Sequence, residues 1–161
     1  MTTFEIVRDA VLLAISVFGA GLSVFNYWEA KQKDRRQIKV VMSTITPVYG
    51  SSLGPAHAKI EATNIGHRDV TVSSIYIELS NGSTLANLDF GFPGLPDTHL
   101  PMRLTDGETA HRSYSYAGIG EALLSSGRTS KQKILPVCVD SSGGIYKGEA
   151  WDVDPNELAR M

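Results

Sequence analysis

The chain of 161 residues has one cysteine, Cys138, so no disulfide can form within it. A lone cysteine fits a reduced compartment, and Cys138 itself is interpreted as a small buried residue of a strand. The four histidines, His57, His67, His99 and His111, lie at no spacing typical of a metal site. The sequence therefore predicts neither a bound metal nor a cofactor, with His99 beside Asp97 kept as a weak ligand candidate.

Motifs that carry catalysis are also missing. The chain has no Gly-x-Ser-x-Gly elbow and no phosphate-binding P-loop. Gly118-Ile119-Gly120 lacks the third glycine of a dinucleotide loop. We therefore expect a protein that is not an enzyme. Because residues from 40 onward hold nine basic and thirteen acidic side chains, we also expect no binding to nucleic acid.

Charge is absent from residues 10–28, which follow a short N-terminal tail, residues 1–9. Nineteen residues without a charge span roughly 28 Å as a helix, close to the thickness of a bilayer's hydrocarbon core. Asn26, Tyr27 and Trp28 close the stretch with side chains suited to the headgroup level. A cleaved signal peptide fits poorly, because the tail is not basic. The sequence predicts a transmembrane helix.

Basic residues are concentrated directly after this predicted helix in the sequence. Residues 29–37 form a predicted helical neck, and with Lys39 they supply a basic collar: Lys31, Lys33, Arg35, Arg36 and Lys39. Only Arg8 precedes the span. By the positive-inside rule, we expect a single-pass protein of the inner membrane with its N-terminus outside and its C-terminal domain in the cytoplasm. The collar is either a topology determinant alone or also a contact with anionic membrane lipid.

Small side chains recur in the span at spacings of three and four residues. They are Ser16, Gly19, Ala20 and Ser23. Such a face lets two helix backbones approach closely, which favours a homo-oligomer through the transmembrane helix. Gly, Ala and Ser are also common in any membrane helix, so both interpretations stay open.

From residue 38 the hydrophobic period becomes that of strands. Predicted strands cover residues 38–45, 58–63, 70–79, 83–85, 100–104, 109–116, 133–140 and 145–151, and Ser73-Ser74 marks a bulge or a bend. Apolar residues at helical spacing predict one short helix over 117–126. Residues 152–161 are predicted to be a polar, frayed tail. The fold class is therefore mainly β: one transmembrane α-helix, then an antiparallel β-sandwich of seven or eight strands over residues 38–151.

Three segments resemble those of bacterial immunoglobulin-like sandwiches. They are the Asn64-Ile65-Gly66 corner, the Leu104–Thr109 turn and the Val139–Gly144 hairpin. The whole layout is similar to small, mostly uncharacterised bacterial and phage membrane-anchored proteins with such a domain, although Asp69 stands where proline is usual. The resemblance implies an Ig-like fold and no reaction. Gly66 is expected to take a positive φ at the corner.

The apolar loop rich in proline and glycine is the candidate for a partner contact: Phe90, Phe92, Pro93, Leu95 and Pro96. An alternative is that this loop folds back over an open sheet edge. The leading hypothesis is a membrane-tethered, non-enzymatic module that binds another protein, as an accessory subunit of a membrane complex. The alternatives are a self-assembling membrane effector, for example in defence against phage, and an extracytoplasmic ligand-binding domain.

Overall fold

The structure, a computed structural model, describes residues 3–33, 36–85 and 92–161. The chain divides into two compact units, Met1–Arg35 and Arg36–Met161, and each is described by itself. The first consists of one α-helix, α1 (Thr3–Lys33). Within α1, Val11–Lys31 is long and apolar enough to cross a membrane, with a mean hydropathy of 1.6 and none of it buried. The predicted apolar helix is thus confirmed by its length and composition.

The boundaries of α1 differ from the prediction at both ends. The helix begins at Thr3, inside the predicted tail, because no glycine or proline interrupts the chain before Ala10. It extends to Lys33, inside the predicted neck, but Arg36 and Gln37 are not helical. Gln37 instead accepts a hydrogen bond from the backbone N–H of Ile65 at 2.9 Å, so the chain is already extended there.

The described part of the second unit holds eleven strands and two helices. The strands are β1 (Ile38–Ile45), β2 (Val48–Tyr49), β3 (Ser52–Leu53), β4 (His57–Asn64), β5 (Val70–Leu79), β6 (Thr84–Leu85), β7 (Met102–Leu104), β8 (Thr109–Ser115), β9 (Gln132–Asp140), β10 (Ile145–Lys147) and β11 (Trp151–Val153). The helices are α2 (Tyr116–Ser125) and α3 (Pro155–Leu158). The predicted short helix is confirmed as α2, whose first turn is capped by the Ser115 hydroxyl accepting from Gly118 N–H at 3.3 Å.

All strand pairs are antiparallel. One sheet has three strands in the order β1-β4-β8, and β2 and β3 form a small hairpin of their own. The larger sheet has the order β10-β9-β5-β6, with β7 also pairing with β5 and β11 with β9. Its register shifts between Val72 and Ser74, which confirms the predicted bulge. The chain is therefore mainly β, with antiparallel sheets and an N-terminal apolar helix.

Side chains from both large sheets enter one hydrophobic core. Ile60 of β4 is fully buried, as are Val72 and Ile77 of β5. The strands alternate buried and accessible residues, as the period of two requires. Cys138 of β9 is also buried in this core, which confirms its interpretation as a small strand residue, and burial raises the pKa of its thiol to about 12.

The corner after β4 is stabilised by hydrogen bonds of the Asn64 side chain rather than by a glycine with a positive φ. The Asn64 amide donates to the carbonyls of Arg68 and Leu104 at 2.8 and 3.1 Å, and its Oδ1 accepts from Gly66 N–H at 3.1 Å. Gly66 is not among the glycines with positive φ, so that prediction is wrong: an Asx turn replaces it. Gly107, with φ +78°, donates to the Asn64 carbonyl at 2.8 Å and ties the second turn to the first.

Two other predictions fail for reasons of tertiary structure. The predicted strand 145–151 is two strands, β10 and β11, because the chain leaves β9 between them. The predicted frayed tail contains part of β11 and all of α3, and both Pro155 and Leu158 are buried. A further hairpin, β2–β3, follows Pro47 outside the predicted strands, and its Val48, Tyr49 and Leu53 are exposed.

Candidate functional site

Strand β1 lies at the edge of its sheet, and a groove runs along it. On the other side of the groove is the segment that joins β10 to β11 in the larger sheet. A first cavity of about 480 Å³ is lined by Ile38, Lys39, Val40, Val41, Met42, Ile65, Lys147, Gly148, Glu149 and Trp151. Val41 and Ile65 are 41% and 52% exposed, so the first cavity offers apolar surface to a partner. An apolar recess next to a strand edge is a typical place for a polypeptide segment to bind.

Gly148 sets the width of the groove at its middle. A Cβ atom on this residue would lie 2.7 Å from the Val40 carbonyl oxygen and 2.8 Å from Cγ of Pro136. The Gly148 N–H donates to the Pro136 carbonyl at 2.9 Å, which anchors the segment to β9. The close approach to β1 therefore requires glycine, and it covers the edge of β1 at Val40.

A second cavity of about 290 Å³ shares Trp151 with the first. It is lined by Thr44, Ala56, Tyr116, Trp151, Asp152, Val153, Asp154, Glu157, Leu158 and Met161. Trp151 is half-buried and belongs to both cavities. We call the two cavities together the β1 groove. Strand β11 and helix α3 place the acidic residues, and β1 supplies Thr44 at the other wall.

A hydroxyl pair forms part of the second cavity. Thr44 Oγ1 and the Tyr116 hydroxyl lie 2.6 Å apart, and either can be the donor. Burial raises the pKa of Tyr116, although the hydrogen bond with Thr44 lowers it. Tyr116 therefore stays neutral at physiological pH, and the pair keeps hydrogen-bonding capacity for a further group.

The two ends of the β1 groove differ in charge. Lys39, Lys147 and Glu149 line the first cavity, and Lys147 Nζ pairs with Glu78 Oε1 of β5 at 2.7 Å. The second cavity has the carboxylates of Asp152, Asp154 and Glu157 and, among the described residues that line it, no lysine, arginine or histidine. The Asn156 backbone N–H holds the pKa of Asp154 below its ordinary value, so this carboxyl is ionised at neutral pH.

The predicted partner loop lies elsewhere, over the outer edge of β8. Phe90 is outside the described residues, and Phe92 packs its ring edge-on against His57 at 5.2 Å. Leu95 N–H donates to the Phe92 carbonyl at 3.0 Å, which closes a turn. The turn leaves Pro93 exposed, Leu95 half-buried and Pro96 exposed.

The residues that follow the loop pair with β8. Thr98 N–H donates to the His111 carbonyl at 3.0 Å, and Ser113 N–H donates to Asp97 Oδ1 at 2.8 Å. His111 Nε2 also lies 3.1 Å from the Pro96 carbonyl. Residues 96–98 thus cover a sheet edge, as the alternative interpretation expected, and a partner contact at the exposed turn stays a prediction.

The collar residues are divided between the two units of the chain. Lys31 is an exposed residue of α1, and Lys33 is the last residue of that helix. Arg35 lies outside the described residues. Arg36 donates to the Ser142 hydroxyl within the second unit, and Lys39 is exposed on β1. A lipid contact by the collar stays a prediction.

The small residues of α1 are all exposed. The Ser16 hydroxyl donates to the Leu12 carbonyl at 2.8 Å, and the Ser23 hydroxyl donates to the Gly19 carbonyl at 2.9 Å. With their hydroxyls bonded to their own helix, these serines present a flat surface together with Gly19 and Ala20. That geometry suits close packing of two helices by contact rather than by hydrogen bonds across them.

The β1 groove was not found from the sequence. Its walls come from β1 and from residues 147–161, which are more than a hundred positions apart in the chain. The one available signal was the tryptophan flanked by acidic residues, Glu149 on one side and Asp152 with Asp154 on the other. That signal shows a half-buried aromatic residue near negative charge, but not the strand that faces it.

Comparison with known proteins adds little to this description. No protein-family model matches the sequence, and no curated protein is significantly similar to it. Among solved structures, the chain is weakly similar to one described as the "X-ray structure of Northeast Structural Genomics Consortium target SoR45". The two share 14% identity over 73% of this chain and 86% of that chain, with a TM-score of 0.24. A likeness at this level supports no conclusion about fold or function.

Proposed function

We propose that the protein is a non-enzymatic interaction module that a single transmembrane helix tethers to a membrane, and that it binds another protein in the β1 groove. The observation that carries this proposal is the groove: an apolar, partly exposed recess beside a strand edge, with Trp151 at its centre. Half-buried aromatic residues inside pockets supply much of the binding energy in protein interfaces.

The tether is supported by α1. Its Val11–Lys31 stretch exposes apolar side chains over its whole length, a surface that water does not favour. Five basic residues follow the apolar stretch and one precedes it, so the N-terminus is outside and the β domain is cytoplasmic at the inner membrane. In this arrangement the collar lies next to anionic lipid headgroups.

The β domain is proposed to be an Ig-like sandwich. Support comes from two antiparallel sheets that bury residues in one core and from the Asn64 corner, which joins β4 to the turn after β7. The proposed relationship is to the small bacterial and phage membrane-anchored proteins that the sequence resembles. Domains of this kind bind partners through loops and edges of a rigid scaffold.

Photo-crosslinking in native membranes tests the proposal. A benzophenone amino acid at Val41, an exposed residue of the first cavity, should give a discrete crosslinked protein band after irradiation. Glu121, exposed on α2, is the matched control, and Pro93 tests the predicted partner loop. A band at Pro93 and not at Val41 would move the partner site to that loop. Bands at neither position, with the protein in the membrane fraction, would contradict a binding module.

A second candidate function is a self-assembling membrane effector. The observation that favours it is the flat small-residue face of α1, formed by Ser16, Gly19, Ala20 and Ser23. Induced expression would then lower the membrane potential, and Gly19→Leu would prevent the effect by separating the helices. An unchanged potential at every expression level would exclude this function.

A further inference from the structure

We propose that the second cavity of the β1 groove binds an arginine or lysine side chain of an extended partner segment whose neighbouring apolar residue occupies the first cavity. This inference rests on the proposed function and names the chemistry of its partner. It is carried by the combination of a cavity, an aromatic wall and an acidic rim, with no basic side chain among the described residues that line it.

The size of the cavity suits one side chain rather than a whole metabolite. Its volume of about 290 Å³ lies at the lower limit of small-molecule sites, which usually measure about 300–1,000 Å³. Its floor is apolar, formed by Ala56, Val153 and Leu158, and can bury the aliphatic stem of a long basic residue. The charged end would then emerge at the carboxylate rim.

The rim and the walls match a cationic group. Asp152 and Glu157 are exposed carboxylates, and Asp154 is ionised at neutral pH. A guanidinium or ammonium group is attracted both by such carboxylates and by the face of a tryptophan ring such as Trp151. The Thr44 and Tyr116 hydroxyls add a neutral hydrogen-bonding group to the same cavity.

A metal ion is a poorer occupant than an organic cation. Among the described residues, no three His, Cys, Asp or Glu side chains are grouped closely enough to hold one. The described carboxylates of the cavity therefore do not converge on one point. That spacing leaves room for an organic cation with its own hydrogen-bond donors.

The shared wall of the two cavities indicates a polypeptide. Trp151 contributes to both cavities, and β1 contributes Ile38–Met42 to the first and Thr44 to the second. These seven positions of β1 span roughly 20 Å of extended chain, so a partner segment of that length reaches both cavities by lying over the groove, without pairing with the β1 edge that Gly148 covers at Val40. Lys39 and Lys147 border the first cavity and the carboxylates border the second, so the basic end of such a segment would lie beside Asp152 and Glu157.

Fluorescence of Trp151 provides the test. The chain has two tryptophans, so Trp28→Phe leaves Trp151 as the single reporter in the full-length protein in detergent. The probe is an acetylated and amidated hexapeptide, Leu-Thr-Val-Thr-Arg-Thr, and the matched probe has glutamine in place of arginine. We expect saturable quenching or a spectral shift with the arginine peptide and at least about tenfold weaker binding of the glutamine peptide.

A double substitution tests whether the carboxylates of the rim cause the preference for the arginine peptide. Asp152→Asn with Glu157→Gln should remove the preference for arginine and leave the melting temperature unchanged, because both carboxylates are exposed and Asp154, which caps α3, is kept. Equal binding of both peptides, binding of neither, or an arginine preference that survives the double substitution would overturn the inference. If the double variant still gives a crosslinked band at Val41, the proposed function is kept even though this inference has failed.

Discussion

At the scale of single residues, Asn64 links three backbone positions of the second unit through its side chain. Replacing it with alanine removes the partners of the Arg68 and Leu104 carbonyls and of the Gly66 N–H in a fully buried place. We expect Asn64→Ala to lower the free energy of unfolding by about 2–4 kcal/mol. Urea denaturation of the full-length protein in detergent measures it.

Asn81→Ala is the matched control for that substitution. Asn81 forms the same kind of turn, accepting from the N–H of Ser83 at 3.1 Å, but it is exposed. Water can replace its hydrogen bond, so its loss should cost less than about 1 kcal/mol. Equal losses for the two variants would show that the buried contacts of Asn64 do not matter to stability.

Asp140 makes stability depend on acid pH. Burial alone would raise its pKa, but hydrogen bonds from Ser142, Gly144 and Tyr146 together lower it below the ordinary value. A carboxylate with a depressed folded pKa stabilises the fold above its unfolded pKa of about 3.9, and the stabilisation is lost as pH falls through the folded pKa. Asp140→Asn should therefore flatten the decline in melting temperature below about pH 4.

The stability of the parent protein and of Asp140→Asn is compared at neutral and at acid pH. At pH 7 Asp140→Asn should cost about 1–3 kcal/mol, because an amide cannot accept all of the same hydrogen bonds. Asp152→Asn, at an exposed carboxylate of β11, should leave the free energy of unfolding at pH 7 and the melting temperature at acid pH nearly unchanged. A parent protein whose melting temperature is the same at pH 3 and pH 7 would contradict the role of Asp140.

The sequence predicted the position of the Asn64 corner but not its chemistry. An Asn-x-Gly pattern marks a turn because both residues tolerate unusual backbone angles. Whether the asparagine side chain is buried depends on Leu104, forty positions away. Local pattern could not show that contact, and for this reason the positive φ was assigned wrongly to Gly66.

At the scale of elements, the segment between β10 and β11 determines whether the β1 groove exists. Gly148→Ala would place a methyl group 2.7 Å from the Val40 carbonyl, so the segment must move away from β1. We expect a loss of about 1–3 kcal/mol and a change in the fluorescence of Trp151 in the Trp28→Phe background. Glu149→Ala, at the exposed neighbouring position, should change neither.

Helix α1 gives a second test at this scale. A charge at the middle of a span costs about 2.5–3.5 kcal/mol on insertion scales, so Leu22→Arg, near the centre of Val11–Lys31, should reduce the fraction of protein in membranes. Leu22→Ala is the control, because it shortens the side chain without adding charge. Membrane fractionation measures both, and full membrane recovery of the arginine variant would show that α1 does not span.

The sequence was most informative where an element depends on its own residues. The apolar run of α1, the bulge at Ser73-Ser74 and the short helix α2 all follow from local periodicity. The sequence was least informative where an element forms only through contacts with residues distant in the chain. Strand β11 and helix α3 look polar in sequence, yet β11 pairs with Ile134 of β9, and Leu158 is buried in the core.

At the scale of the whole molecule, the proposed orientation depends on the collar. Changing Lys31, Lys33, Arg35 and Arg36 to glutamine and adding three lysines before Asp9 reverses the charge bias across α1. We expect the β domain to become at least partly accessible to external protease in spheroplasts. If protease added outside already digests the β domain of the parent protein, the domain is extracytoplasmic and the collar has another role.

The strand order also bears on the sequence of events during protein synthesis. A ribosome releases β1 and β4 early, and these strands pair over a short loop. Trp151 and Glu157 leave the exit tunnel more than a hundred residues after β1. The recess beside β1 is therefore completed last, and a nascent chain exposes Val41 and Met42 without the opposite wall. If the proposed partner binds the β1 groove, its recognition is thus confined to chains in which residues up to 157 have left the ribosome.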